Sequence, residues 1–190
     1  RLGIQNATFA TQIIQIEMEN GMVSATFIQA GRKKLALNSR GCDDVEFLIS
    51  TNLGEEVKPL VKVASGGEVS RIMLALKSIL AKSDRLPVLI FDEIDVGVSG
   101  RVAQAVGLSL KNLSSFHQVV AITHLPQIAG LADTHFAVSK SEDAKRTKTT
   151  MRELSLDERV QEIAKLMSGA EVTEAGLQGA RELISVSKTN

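Results

Sequence analysis

Two carboxylates stand together at the end of an apolar run, in Val88-Leu89-Ile90-Phe91-Asp92-Glu93. Successive apolar residues of this kind read as a parallel strand buried on both faces. Asp92 and Glu93 then fall at its carboxyl end, the edge at which open α/β sheets bind ligands. An acid there could hold Mg²⁺, through water because that ion dehydrates reluctantly. The adjoining Glu93 could polarise a water for attack on phosphorus. The plainer alternative is a pair of acids that only solvates a strand end.

Ser65-Gly66-Gly67-Glu68 opens a run of helical period and also admits two uses. Ser and Glu three apart at a helix start make a capping box. A capping box needs no glycine, and two in the first turn cost about 1 kcal/mol each relative to Ala. Glycine is explained if something approaches the backbone closely, and a helix N-terminus with bare N–H groups and a hydroxyl suits a phosphate. Capping and anion binding both stay open.

Two further stretches follow. Asp95-Val96-Gly97-Val98-Ser99-Gly100 is an incomplete Gly-rich loop, and Val120, not an acid, stands about 20 residues on, so a dinucleotide fold is not expected. A tight turn with an N-cap accounts for that stretch except for Asp95. Ile122-Thr123-His124 ends another apolar run, where His124 could touch a terminal phosphate or be merely structural. His117 and His135 have no ligand-like spacing with Cys42, so no zinc site is expected. Cys42 reads as a small buried hydrophobe. Lys140, Lys145, Arg146, Lys148 and Arg152 form a basic stretch interrupted by acids. It reads as a solvated hairpin, with weak contact to DNA phosphates the remoter use.

The elements that must position these groups change character near residue 65. Residues 1–64 read as β-rich: strands over Ala7–Ile16, Val23–Ile28 and Val45–Ser50, a hairpin turn at Asn20-Gly21, and an exposed basic turn at Gly31–Lys34. Residues 65–190 read as α/β. The spacing of Val69, Ile72, Met73, Leu76, Ile79 and Leu80 predicts a helix over 68–82. Strand 88–91, a helix carrying Val102, Val106, Leu110 and Leu113, and strand 119–122 make a βαβ unit. A short helix after Pro126, strands at 136–138 and 149–154, a helix capped by Ser155 and Glu158, and a last helix over 173–186 complete the chain.

Composition limits the function. The 190 residues carry 22 Lys+Arg against 22 Asp+Glu, so a DNA-coating module with a large basic excess is excluded. Aromatics are 3%, all Phe, too few for a row of base-stacking platforms. One cysteine excludes an internal disulfide framework and fits a reducing, cytoplasmic setting. No apolar run reaches the ~18 residues of a membrane span. The first residue is Arg1, as expected of a fragment or processed piece.

In order and spacing the motifs resemble the C-terminal half of an ABC-type ATPase head. Ala64-Ser65-Gly66-Gly67-Glu68 resembles the ABC signature, Val88 to Glu93 the Walker B motif, Asp95 to Gly100 the D-loop, and His124 the switch histidine. Val63 to Arg71 followed by Leu74-Ala75-Leu76-Lys77, with Phe91 to Arg101 and Ile122 to Ala129, is similar to the SMC-like group that acts in bacterial DNA repair. The resemblance implies a P-loop NTPase-type α/β fold and a mostly parallel sheet with flanking helices. It implies ATP and Mg²⁺ as cofactors and recombinational repair of DNA double-strand breaks as the activity. Asp92 would orient Mg²⁺, Glu93 would activate water, and His124 would touch the γ-phosphate. Ser65, Gly66, Gly67 and Glu68 would bind ATP held on a second head, and Asp95 would couple the two sites. The sequence has no Gly-x-x-x-x-Gly-Lys-[Ser/Thr]. The implied partners are therefore an N-terminal lobe carrying that loop, a second head and DNA, with no membrane. A non-catalytic clamp and a transporter ATPase subunit are the competing classes.

Overall fold

The computed structural model describes residues 2–4, 6–18, 26–63, 65–83, 86–143, 146–169 and 171–186. The expected turn at Asn20-Gly21, the first half of the strand expected at Val23–Ile28, Ala64 and Lys145 lie outside them. The chain divides into two compact units, Ile4–Ala64 and Ser65–Asn190 with Arg1–Gly3.

The smaller unit is antiparallel. Strand β1 (Thr8–Gln15) pairs with β4 (Asp43–Ser50), Thr8 opposite Ser50, and β4 pairs with the short β5 (Lys58–Pro59). β2 (Phe27–Ala30) and β3 (Lys33–Ala36) form a hairpin. Gly31 turns that hairpin at φ 63°, so the expected basic turn narrows to Gly31-Arg32 while Lys33 and Lys34 enter β3. Helix α1 (Leu60–Val63) closes the unit. Cys42 is half-buried, more open than the hydrophobe expected there.

In the larger unit, helix α2 (Gly66–Leu80) leads to strand β6 (Val88–Phe91), helix α3 (Gly100–Leu113) and strand β7 (Gln118–Ala121). β6 and β7 are parallel, with Phe91 opposite Ala121. This is the parallel ladder among the described residues; the others are antiparallel. Leu74, Leu89, Phe91, Ile94, Val106, Leu110, Leu113 and Ile128 pack into one core. The strands alternate: Leu89 and Phe91 are buried, whereas Val88, Ile90, Val120 and Ile122 are exposed, Ile90 at 68%. The reading of β6 as buried on both faces is thus corrected, because α2 and α3 supply apolar partners to one face only. Helix α2 likewise buries Gly67, Arg71, Ile72 and Leu74, leaving Met73, Ile79 and Leu80 exposed.

Helix α4 (Pro126–Ala129) follows, then the hairpin β8 (Phe136–Asp143) and β9 (Arg146–Glu153), which is longer than the two short strands expected. Helices α5 (Leu156–Ser168) and α6 (Glu174–Val186) pack through Val160, Ile163, Ala164, Ala180 and Ile184. Ser155 and Glu158 form the expected capping box, with both reciprocal hydrogen bonds present.

Candidate functional site

The parallel register sets the site. With Phe91 opposite Ala121, and the Ile122 amide bonded to the Phe91 carbonyl at 3.0 Å, both strands end at one level. Asp92–Asp95 and Thr123–His124 leave the sheet side by side. Helix α2 is tied to the same corner. The Ser70 hydroxyl donates to the Asp92 carbonyl at 2.8 Å, and the Arg71 guanidinium donates to the Val96 carbonyl at 2.8 Å. Arg71 is only 5% exposed, and burial lowers its pKa, with Glu68 opposing that shift.

The two glycines admit this close approach. A Cβ on Gly67 would lie 2.9 Å from the Glu93 carbonyl and 3.0 Å from Val96, and one on Gly66 would collide with the Glu93 carboxylate. What comes close to the α2 backbone here is the chain's own segment 93–96. Ser65 caps α2: its hydroxyl accepts from the Glu68 amide at 3.4 Å, and the Glu68 carboxylate accepts from the Ser65 amide at 3.0 Å. The capping-box reading of Ser65–Glu68 is therefore realised.

Glu93 has φ 56°, the one non-glycine in the left-handed region among the described residues. The backbone bends sharply just past β6, and the Glu93 amide donates to Asp92 Oδ1 at 2.9 Å. Both side chains are exposed. Asp95 is only 4% exposed, and its Oδ2 is engaged by Thr123 and His124. Both of these partners belong to Asp95's own chain, at the end of the neighbouring strand.

Among the described residues, no three His, Cys, Asp or Glu side chains are placed to hold a metal by themselves. The donor set instead fits Mg²⁺ as that ion is usually held, by one or two carboxylates together with phosphate oxygens and water. Asp92, exposed at the end of β6, is the carboxylate that could serve in that way. For a phosphate, the first-turn amides of Gly66 and Gly67 belong to the donors an α-helix leaves unpaired at its start. They fit an anion once the Glu93 carboxylate moves off Gly66. Of the basic hairpin, Arg152 is paired with Glu158 at 2.7 Å, while Lys140 and Lys148 are exposed.

The chain is 47% identical over 175 residues to a DNA repair protein RecN of Halalkalibacterium halodurans, a match covering 92% of the chain. It is 50% identical over 148 residues to one of Bacillus subtilis, covering 78% of the chain. The chain belongs to the RecN family. It spans between about a quarter and a third of the length of these RecN relatives, 31% and 26%. No family model matches it. A solved Smc head domain with a coiled coil and joint, from Pyrococcus yayanosii, superposes with a TM-score of 0.50 at 18% identity, covering 84% of this chain and 26% of that one. The fold of this RecN-family chain is thus the P-loop NTPase fold of an SMC head.

The structure gathers Gly66, Gly67, Asp92, Glu93, Asp95 and His124 at one corner, and holds Ser65 and Glu68 in the adjoining cap. Sequence reading missed Arg71, Ser70 and Thr123. The signal for Arg71 was its spacing: Gly67, Arg71 and Leu74 recur at i, i+4, i+7 and form the buried stripe of α2.

Proposed function

We propose that this chain is the C-terminal lobe of an ATP-binding and ATP-hydrolysing head, in an SMC-like protein that repairs DNA double-strand breaks by recombination. The observation that carries the reading is the meeting of the Asp92-Glu93 pair, the α2 N-terminus and His124 at the ends of two parallel strands, in a RecN-family chain.

In this reading Asp92 would hold Mg²⁺ through water, and bound Mg²⁺ would supply charge neutralisation at the phosphate oxygens. Glu93 leaves Gly66, orients the attacking water and takes its proton. His124 meets the terminal phosphate. Gly66 and Gly67 amides and the Ser65 hydroxyl, turned away from Glu68, receive a phosphate carried by a second head, with Glu68 holding the cap. A phosphate-cradling loop comes from an N-terminal lobe, since this sequence has none. Asp95 couples the sites indirectly, through the segment it anchors. Positioning and charge neutralisation supply most of the rate, as in phosphoryl transfer generally. DNA, an N-terminal lobe and a second copy are the partners, and the setting is cytoplasmic. Among the described residues no helix is long and apolar enough to cross a membrane.

The test is Glu93→Gln in the full-length protein. Gln keeps the shape but cannot take the water's proton, so ATP binding persists while hydrolysis slows by at least ~10²-fold, the scale of a lost general base. Unchanged turnover would remove Glu93 from the mechanism, and no turnover in the parent would leave a non-catalytic clamp.

A further inference from the structure

Neither water activation nor metal binding needs a third acid, yet Asp95 is 4% exposed, and a buried carboxylate persists only where donors meet it. One oxygen collects them. Oδ2 accepts from the Thr123 hydroxyl at 2.6 Å and from the His124 amide at 2.8 Å, and lies 3.0 Å from His124 Nδ1. Thr123 Oγ1 in turn accepts from the Leu125 amide at 3.1 Å, fixing the residue that caps α4. Burial alone would be satisfied by the hydroxyl and the amide. The third contact is to a ring whose side chain is otherwise 71% exposed.

An ionised carboxylate only accepts, so the proton in that contact belongs to Nδ1. A ring nitrogen committed in this way sets the role of the other. We infer that Asp95 is a positioning residue: it holds His124 with Nδ1–H on its own carboxylate and turns Nε2 outward as the atom that meets ligand. The inference deepens the proposed function and rests on its placing of His124 at the terminal phosphate. It also gives the sheet end a physical link, because the segment carrying Asp92 and Glu93 and the segment carrying His124 share one oxygen atom. Displacing either moves the other.

The test begins with the 190-residue chain and needs no nucleotide. Its three histidines give separable ¹⁵N ring signals, with His124 assigned by its loss in His124→Gln. The neutral His124 ring of the parent is expected as the Nδ1–H tautomer. Asp95→Asn and Asp95→Ser are expected to release it to a mixture, while Thr123→Val, which spares the carboxylate, leaves it in place. An Nε2–H tautomer in the parent overturns the inference even if the Asp95 variants fail to fold. So does a tautomer that ignores both Asp95 substitutions. In the full-length protein, Asp95→Asn is expected to lower kcat by about 10-fold or more with little change in KM. It should add nothing further to His124→Gln, since the two act as one unit. Independent, multiplying effects overturn the positioning role. If Asp95 sets the tautomer but His124→Gln hydrolyses ATP normally, the positioning stands and the role of His124 in the proposed function falls.

Discussion

Gly67 and the Glu93 carbonyl are packed so closely that a Cβ on the glycine would lie 2.9 Å from that oxygen. Gly66, one residue earlier, faces the Glu93 carboxylate instead. The neighbours differ in what they can yield. A backbone carbonyl between a strand end and a tight turn is fixed, whereas the tip of a glutamate side chain can swing aside.

The two alanine substitutions should therefore part company. Gly67→Ala meets backbone and overpacks the corner, at about 1–3 kcal/mol, more than the ~1 kcal/mol of helix propensity it gains. Gly66→Ala gains the same propensity and displaces only the Glu93 carboxylate, so stability should hold or rise. Urea denaturation of both variants is the measurement. Equal midpoints would mean that the α2 glycines do not serve close packing.

Glu93 itself should be a site where stability and activity oppose each other. Its φ of 56° is left-handed, a conformation that strains a side-chain-bearing residue by about 1–2 kcal/mol. Glu93→Gly removes that strain, offset by roughly 0.5–1 kcal/mol of extra chain entropy in the unfolded state. The glycine variant should be at least as stable as the parent, and Glu93→Val, with a branched Cβ, less stable than either. Neither should support hydrolysis. A glycine variant less stable than the valine one would argue against strain at this turn.

How far the sequence reveals this corner depends on the range of the interactions. Helix α5 was legible because its cap is local: Ser155 and Glu158 bond within one turn. Asp92 and Glu93 were legible as a strand end because apolar run and acids are contiguous. Residue spacing could not reveal that the carboxylate at 95 meets the end of β7, 28 residues on, since the parallel register makes that contact. The α2 glycines were flagged by their helix cost, yet their neighbour is segment 93–96, which no local rule names. The exposed face of β6 was misread for a related reason. An apolar run reports that both faces tolerate burial, not that both are covered in this chain.

Acid should destabilise the larger unit through His135. Burial lowers its pKa below the usual value near 6.5, Arg159 lowers it further, and Glu162 opposes them. Among the described residues its Nδ1 has no hydrogen-bond partner. A folded pKa below the unfolded one means that the unfolded chain binds more protons in that window, so stability falls as pH drops through about 6.5. Glu158 acts lower. Hydrogen bonds from the Ser155 backbone, the Ser155 hydroxyl and Arg152 depress its pKa below 4.5, so its contribution is present above that value and lost beneath it. Comparing urea midpoints at pH 7.5 and 5.5 therefore leaves Glu158 out, and substituting His135 separates it from the other two histidines. The parent should be weaker at pH 5.5, and His135→Asn should narrow the gap. An unchanged gap would assign the acid sensitivity elsewhere.

The last prediction asks on whose behalf Ser65 works. Within this chain its hydroxyl serves the capping box with Glu68, and the sequence has no loop to hold a phosphate in front of it. If the α2 N-terminus meets ATP, the phosphate arrives on another head. Ser65→Arg would put a long side chain between the two, so each full-length protein should still bind ATP but neither dimerise on it nor hydrolyse it. Mixed with a partner whose phosphate-cradling loop is disabled, the variant supplies the intact loop and the partner supplies the intact Ser65. Heterodimers should then regain about one working site, and ATPase rate plotted against mixing ratio should pass through a maximum. A rate that never exceeds the sum of the two mutants, with heterodimers shown to form, would confine Ser65 to its capping role.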